Sequence, residues 1–367
     1  MFTEPAFQDP KLCRTLLARL NHVLDGRALR FMEVCGTHTV AIFQSGLATL
    51  LPPFITHLSG PGCPVCVTHD TEIALILDLA GREDVILATF GDMLRVPGPD
   101  GKSLKHARAE GARIEIVYSP LDAVNLADKN PDAVVVFPGI GFETTAPTVA
   151  AALLTARQKK LNNFSVLSLH KLVPPALRAL LADTPNSEAH IDAFLLPGHV
   201  STVIGLAPYG FLAEQHHVPA VVGGFEAGDI LLALCLMGEQ LRDNKPTVRN
   251  AYPRAVNDSG NPRARALMEQ VFMPVDALWR GMGNIPESGL ALRPEYADMD
   301  AAKRFQTTLV EYPPPKGCRC GDVLKGRISP PACPLFDKKC TPASPVGPCM
   351  VSTEGSCAAW HKYAEHE

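Results

Sequence analysis

Short apolar runs rich in β-branched residues alternate with segments of helical period along most of the chain, from about residue 29 to residue 222. Alternation of this kind is typical of βαβ units, which build parallel sheets. The pattern predicts strands over residues 29–34, 54–58, 84–90, 113–118, 133–137, 164–169, 193–196 and 220–222. Between them it predicts helices that include residues 38–50, 68–79, 144–159, 175–182 and 226–237. The fold class predicted from this pattern is therefore α/β.

So many strands exceed what one small sheet needs, and the Ser119-Pro120 region is a plausible crossing point between two α/β domains. A third region begins near Tyr252, holds a polar helix over residues 264–272, and passes a rigid spacer of three prolines at 313–315. We therefore expect domains over residues 1–120, 121–250 and 251–367. In the first two, Gly/Pro turns follow the strands, at the edge where open α/β sheets bind ligands.

Composition narrows the function classes. The net charge is −4 without a basic block, which argues against a nucleic-acid-binding face. No apolar stretch approaches the roughly 20 residues that a membrane-spanning helix needs. The N-terminal segment carries Glu4 and Asp9 and lacks the apolar core of a secretory signal. We therefore expect a cytoplasmic protein, in which cysteines are metal ligands, redox pairs or buried residues more often than structural disulfides.

The last fifty residues hold six of the eleven cysteines in a segment without a long apolar run. A tail so poor in core-forming residues needs a metal or a covalent link to hold one shape. A 4Fe-4S cluster or a four-cysteine zinc site would each use four sulfurs, leaving a pair able to form a redox disulfide. The six are Cys318, Cys320, Cys333, Cys340, Cys349 and Cys357.

Two further cysteine motifs stand where a predicted strand turns into a helix. Cys35 is followed by His38, and a helix N-terminus there would favour the thiolate. Cys63 and Cys66 form a C-x-x-C motif, which serves as a dithiol redox pair or as two metal ligands. Together they predict an open, redox-capable metal site at one sheet edge, with His38 as a second ligand or proton partner. The alternative is that these are small buried residues without a chemical role.

A Gly-rich turn follows the strand at 133–137 and contains Glu143. Its glycines and threonines before a helix form a plausible anion cradle, with Glu143 as a ligand or base. No Gly-Lys-Ser/Thr follows, so the turn is not a Walker A loop. A simple helix-capping turn is an equally good interpretation.

Read together, these motifs resemble the HypD family of NiFe-hydrogenase maturation proteins. The resemblance spans nearly the whole chain and rests on several separate blocks in order. They are CGTHT at 35–39, GPGCPVC at 60–66, FGDMLRVP at 90–97, GFETT at 141–145, PGHVS at 197–201, CPLF at 333–336 and MVSTEGSC at 350–357.

The resemblance implies two Rossmann-like α/β domains facing a cleft and a small C-terminal iron-sulfur domain. Matching the family pattern would place a 4Fe-4S cluster on Cys318, Cys333, Cys340 and Cys357, with Cys320 and Cys349 as an extra pair able to form a disulfide. Cys35, with His38 nearby, would hold the iron of an Fe(CN)2CO unit, and Cys63 with Cys66 would be a dithiol close by.

The partners that the resemblance implies are a HypC-type small chaperone, a HypE-type cyanide donor and, indirectly, the hydrogenase large subunit. The leading hypothesis is therefore an assembly scaffold with redox capacity and no conventional turnover. A stand-alone iron-sulfur or thiol-disulfide oxidoreductase is the alternative, and it would turn over a small molecule without a stoichiometric protein partner. A zinc-stapled binding module is a third possibility, and it would be colourless.

Overall fold

The computed structural model describes residues 7–183 and 190–364. Two parallel sheets with helices on their faces and one antiparallel hairpin form the framework. The predicted α/β class with two Rossmann-like units is confirmed. Each predicted strand is present with end shifts of a few residues, because continuous β-branched runs are a strong signal for buried parallel strands.

The first sheet has the order β2-β1-β7-β8-β9, and all its neighbouring strands are parallel. Its strands are β1 (Leu29–Glu33), β2 (Ile55–Ser59), β7 (Ala193–Pro197), β8 (Ala220–Gly223) and β9 (Val248–Asn250). In register, Glu33 at the end of β1 stands beside Ser59 of β2 and Leu195 of β7. The loops after these strands therefore meet at one edge.

The second sheet has the order β4-β3-β5-β6 and is also parallel. Its strands are β3 (Val85–Thr89), β4 (Ile114–Ile116), β5 (Val134–Gly139) and β6 (Phe164–Ser168). The two sheets do not follow the expected boundary at residue 120. Strands β7 to β9 return to the first sheet, whereas β3 and β4 pair with β5 and β6. The pairing of β1 with β7 joins residues far apart in sequence, and local patterns carry no information about such crossovers.

The helices cover the faces of the two sheets. The predicted helix over 38–50 is two helices, because Gly46 takes a left-handed φ of 74° between them. The longer helices are α1 (Pro10–Leu24), α2 (Gly36–Gln44), α5 (Asp70–Ala80), α7 (Pro120–Lys129), α8 (Ala146–Gln158), α9 (Val173–Asp183), α12 (Ala227–Asp243), α13 (Pro262–Val271) and α16 (Ser356–Tyr363). The shorter ones are α3 (Leu47–Leu50), α4 (Pro64–Val67), α6 (Leu104–Ala109), α10 (Gly198–Ile204), α11 (Phe211–Glu214), α14 (Ala301–Arg304) and α15 (Cys320–Leu324). No helix within the described ranges is both long and apolar enough to cross a bilayer.

An antiparallel hairpin in the third region was not expected from the sequence. Strands β10 (Phe272–Trp279) and β11 (Gly283–Leu292) pair around a turn in which Gly281 and Gly283 have positive φ. The prolines and polar residues within the hairpin concealed it, since proline removes a ladder donor. Trp279 is fully buried, and its Nε1 donates to the Ser288 hydroxyl at 2.8 Å. The hairpin therefore contributes to the core that also receives the C-terminal tail.

The cysteine-bearing tail packs against the first sheet. Cys320, Leu324 and Cys349 belong to the same buried cluster as Trp279 and Cys66. The tail thus derives part of its stability from the core beneath it as well as from its own residues.

Candidate metal and thiol site

Cys35 follows β1, which ends at Glu33, and stands immediately before α2 begins at Gly36. Burial raises the pKa of its thiol to about 12, and the nearby carboxylates of Glu354 and Glu33 act in the same direction. The backbone N–H groups of His38 and Thr37 act in the opposite direction, because they donate towards the sulfur. Cys35 is therefore a protonated, largely buried thiol. The backbone N–H groups that would stabilise its thiolate are already in place.

The Glu33 carboxylate holds this loop in place through two hydrogen bonds. Its side chain is 1% exposed, and one carboxylate oxygen accepts the Cys35 N–H at 2.8 Å. The other accepts the Thr39 hydroxyl at 2.5 Å. A buried carboxylate holding two donors fixes the loop firmly. Glu33 was not singled out from the sequence, although a charged residue at the end of an apolar strand was the available signal.

The C-x-x-C loop lies directly against the Cys35 loop. Gly36 N donates to Gly62 O at 3.0 Å, and a side chain on Gly62 would collide with the Cys35 backbone. Cys63 and Cys66 form a disulfide across the start of α4. The structure thus brings together the two motifs that the sequence placed at one sheet edge, with the second pair oxidised.

His38 lies in the first turn of α2 and is completely buried. Its Nε2 donates to the Gly224 carbonyl at 3.0 Å, and its ring lies 4.7 Å from that of Phe225. Burial lowers its pKa to about 4, so the imidazole is neutral. Within the described chain Nδ1 has no hydrogen-bond partner. His199 stacks on the same Phe225 ring at 4.1 Å, which places a second imidazole nearby.

The end of the tail docks on α2. The Thr37 hydroxyl donates to a Glu354 carboxylate oxygen at 2.7 Å, and a side chain on Gly36 would collide with the Glu354 backbone. Helix α16 packs against α2, with Phe43 and Trp360 in edge contact at 4.9 Å. The MVSTEGSC block therefore has a tertiary role besides supplying Cys357, and sequence reasoning gave no role to Glu354.

The six tail cysteines line one small cavity. Its remaining walls are mostly apolar and include Val323, Leu335, Phe336 and Met350. Burial raises the pKa of Cys318 to about 12, and burial also raises that of Cys340. Val346 N donates to the Cys340 sulfur at 3.3 Å. We name this space, lined by Cys318, Cys320, Cys333, Cys340, Cys349 and Cys357, the cysteine cavity.

Cys320 and Cys349 form a close pair, with their sulfurs 2.7 Å apart. A hydrogen bond from Cys349 lowers the pKa of Cys320, and the Arg280 guanidinium also lowers it. Hydrogen bonding with Cys320 and with Cys357 raises the pKa of Cys349. Cys320 is therefore the more easily ionised thiol of the pair, and a hydrogen bond joins Cys349 to Cys357.

Whether the cysteine cavity fits a 4Fe-4S cluster depends on its donors and its walls. The donors are thiols, the walls are apolar, and no carboxylate is among the lining residues. Over residues 7–183 and 190–364, no three His, Cys, Asp or Glu side chains converge as the ligands of a single metal ion would. A cluster spreads its four thiolates over separate irons, so its ligands need not converge on one point. The donor set fits such a cluster.

Glu143 lies apart from the cysteines. It is 2% exposed, one carboxylate oxygen accepts Val173 N–H at 3.0 Å, and burial raises its pKa to about 7. It lines a separate cavity, whose walls contain none of the cysteines. The structure therefore does not bring Glu143 into the group formed by the Cys35 loop, the C-x-x-C loop and the tail.

Two buried ion pairs connect these regions. The Lys171 ammonium donates to Glu72 at 2.5 Å, and the Arg280 guanidinium is paired with Asp70. Arg280 also donates its backbone N–H to Val67 O at 2.8 Å, which joins the hairpin turn to the end of α4. These residues were missed from the sequence because charges spaced so far apart give no local pattern.

Comparison with known proteins gives consistent matches. The family model HypD, described as hydrogenase formation hypA family, matches residues 11–364. Hydrogenase expression/formation protein HupD of Azotobacter chroococcum is 45% identical over 362 residues, covering 97% of this chain and 95% of that protein. Hydrogenase maturation factor HypD of Azotobacter vinelandii is 44% identical, with the same coverage. HypD of Escherichia coli K12 is 45% identical over 342 residues, covering 93% and 91%.

Proposed function

This chain belongs to the HypD family of hydrogenase maturation factors, and we propose that it is the scaffold on which the Fe(CN)2CO unit of NiFe-hydrogenase is assembled. It would act in the cytoplasm with a HypC-type small chaperone and without a conventional turnover reaction. One observation carries the proposal. The Cys35 loop touches both the C-x-x-C loop and the Glu354 segment, so three cysteine-bearing segments meet in one region.

Cys35 is the proposed anchor for the iron, which is cargo and not a resident cofactor. Soft thiolates suit low-spin iron that carries cyanide and carbon monoxide. The raised thiol pKa means that iron binding must displace a proton, and the Thr37 and His38 N–H groups then stabilise the sulfur. The His38 imidazole is neutral, and its Nδ1 has no hydrogen-bond partner among the described residues. We propose His38 as a second iron ligand or as the proton acceptor.

We propose that Cys318, Cys333, Cys340 and Cys357 hold a 4Fe-4S cluster in the cysteine cavity. When bound, such a cluster supplies single electrons. The apolar side chains of Leu335, Phe336 and Met350 line the same cavity as these four cysteines.

The two remaining cysteine pairs form the proposed relay between that cavity and the iron. Helix α4, with Cys66, contacts the turn that holds Cys349, and both residues lie in one buried cluster. Each pair interconverts between disulfide and dithiol with two electrons and two protons. Exchange between the pairs is balanced, since one disulfide is reduced as the other forms. If Cys63→Ala combined with Cys66→Ala left iron loading and hydrogenase maturation intact, the relay would be wrong.

Partner proteins need access to Cys35, and two grooves flank helix α2. Both are lined by Thr37 and Val40; one continues towards α1 and α12, and the other towards α16. We propose that the HypC-type chaperone approaches along this helix. The HypE-type cyanide donor would follow at the same face, and the hydrogenase large subunit would receive the finished unit indirectly.

The alternative function, a stand-alone iron-sulfur or thiol-disulfide oxidoreductase, draws on the Cys63–Cys66 disulfide and the Cys320/Cys349 pair. The oxidoreductase hypothesis does not explain why Cys35, which has no cysteine partner in the described structure, is buried beside the backbone N–H groups of Thr37 and His38. The scaffold hypothesis explains that residue directly.

The test is anaerobic purification with the co-expressed HypC-type chaperone, followed by infrared spectroscopy of metal-cyanide and metal-carbonyl stretches and by iron and sulfide analysis. We expect both kinds of band and more iron than one cluster requires. Cys35→Ala should lose the bands, whereas Cys235→Ala, at a buried cysteine of α12 outside the site and the grooves, should keep them. A brown protein whose iron is accounted for by the cluster, without such bands even with its partner bound, would favour the oxidoreductase.

A further inference from the structure

The cysteine-bearing tail is the basic part of an acidic chain. Residues 316–364 hold seven lysines and arginines against three aspartates and glutamates, whereas the whole chain has a net charge of −4. Two of the three acids are already engaged, since Asp322 pairs with Arg319 and Glu354 accepts the Thr37 hydroxyl. Segregated charge of this kind favours a partner of the opposite sign.

Four exposed cations of the tail flank residues that line the cysteine cavity. Two of them stand on either side of Cys318, and two stand just before Cys340. We name these four residues the basic rim: Lys316, Arg319, Lys338 and Lys339. Its three lysines form no ion pair within the part of the chain that the structure describes, so their charge is available to a partner.

Packing holds the two halves of the basic rim next to each other. A side chain on Gly317 would stand 3.6 Å from Leu335, so the backbone after Lys316 adjoins the turn that carries the other two lysines. Within that turn, Lys338 N–H donates to Leu335 O at 3.2 Å. The four cations therefore surround one side of the cavity.

The cavity also has cysteines near solvent beside the basic rim. Cys318 and Cys333 are half-buried, whereas Cys320, Cys340 and Cys349 are buried. Arg319 follows Cys318 directly in the chain. A protein that docks on the basic rim would therefore stand next to two of the sulfurs proposed to hold the cluster.

We propose that the basic rim is the docking surface for an acidic one-electron donor protein of the iron-sulfur or flavin class. The proposal rests on the proposed function, because the relay needs a source of electrons. Reducing one disulfide of the relay consumes two electrons and two protons, so the donor docks twice and is oxidised by one electron each time. Such transient encounters bury little surface and depend on charge for their rate. A nucleic acid would need a longer basic stripe than these four residues.

An acidic 2Fe-2S ferredoxin is a suitable probe, and biolayer interferometry with the anaerobically purified full-length protein follows its binding. Binding should be measurable at an ionic strength of about 0.01 M. It should weaken at least about tenfold at about 0.15 M, where the screening length falls to about 8 Å. A basic cytochrome c should not bind at either salt concentration.

Variants locate the surface without replacing a cysteine. The double variant Lys338→Glu, Lys339→Glu reverses the charge of half the basic rim, so ferredoxin affinity should fall at least about tenfold. The double variant Lys129→Glu, Lys160→Glu is the matched control. Both control lysines are exposed, at the ends of α7 and α8, and the net charge changes by the same amount. The control should keep its affinity within about twofold.

A second readout uses the unsubstituted protein, so that a folding defect in a variant does not decide the matter. Carbodiimide joins lysines to carboxylates in contact, and the cross-linked peptides found by mass spectrometry should contain Lys316, Lys338 or Lys339. Absence of binding, equal affinity in the folded Lys338→Glu, Lys339→Glu variant, cross-links confined to other lysines, or equally tight binding of duplex DNA would each overturn the proposal.

Iron and sulfide analysis of the same samples separates this proposal from the proposed function. A chain that contains its cluster and shows the infrared bands but does not bind ferredoxin would refute the docking surface alone. A chain that binds ferredoxin at the basic rim but never shows the infrared bands would refute the assembly scaffold and leave the docking surface standing.

Discussion

Replacing Gly62 by alanine tests the contact between the Cys35 loop and the C-x-x-C loop. An alanine Cβ at this position would lie closer than 3.0 Å to backbone atoms of Val34 and Cys35. Those atoms cannot rotate away as the end of a long side chain can. Gly62 does not have the left-handed backbone that favours glycine, so this close approach is the reason for glycine here.

The expected magnitude follows from that geometry. Forcing a methyl group into a packed contact costs about 1–3 kcal/mol, and the two loops must separate to accept it. The bond from Gly36 N–H to Gly62 O, at 3.0 Å, would weaken first. A local destabilisation of about 1–3 kcal/mol accelerates amide exchange through local opening by roughly 5- to 150-fold.

Hydrogen exchange followed by mass spectrometry measures the change in local opening, using peptides that cover residues 30–40 and 58–68. Gly81→Ala is the matched control, because the nearest atom to its Cβ would be 3.5 Å away and its φ is −78°. The control should leave both peptides unchanged and stabilise the chain slightly. Equal exchange in the two variants would refute the inference that direct backbone contact holds the loops together.

Three further predictions concern stability. Lys171→Met leaves the Glu72 carboxylate buried without its partner at 2.5 Å, so the free energy of unfolding should fall by about 3–5 kcal/mol in thermal melts. The double variant Lys171→Met, Glu72→Gln should regain most of the lost free energy of unfolding. A double variant as unstable as Lys171→Met would contradict the pairing. Glu143 has its pKa raised from 4.5 to about 7 in the folded protein, so its stabilising contribution is complete below pH 4.5 and is lost as the pH rises through 7. Glu143→Gln should therefore gain up to about 3 kcal/mol relative to wild type between pH 4 and pH 8, and a pH-independent difference in melts would exclude this. Asn261 caps α13 by accepting from two backbone N–H groups, so Asn261→Ala should lower the unfolding free energy by about 1 kcal/mol; unchanged melting would show that the cap contributes nothing.

The sequence contains much of the information about the local elements of this protein. The run that forms β5 is apolar throughout, as buried parallel strands require, and α8 and α12 follow a helical period with Pro or acidic residues in their first turn. Cys35, Cys63 and the tail cysteines were identifiable as candidates, since their residue types, spacing and places after strands are local properties. Their individual roles stay predictions.

Only the tertiary structure decided how these elements combine. The return of β7 beside β1, the contact of Glu354 with Thr37, and the placing of Glu143 in a cavity away from the cysteines all join residues that are distant along the chain. Propensity and periodicity describe one or two turns of the chain. Which distant segments come into contact depends instead on which arrangement of the strands and helices buries their apolar faces best. The sequence by itself therefore determined most strands of the two parallel sheets, many of the helices and the candidate ligands, whereas packing determined the hairpin and which of these elements meet.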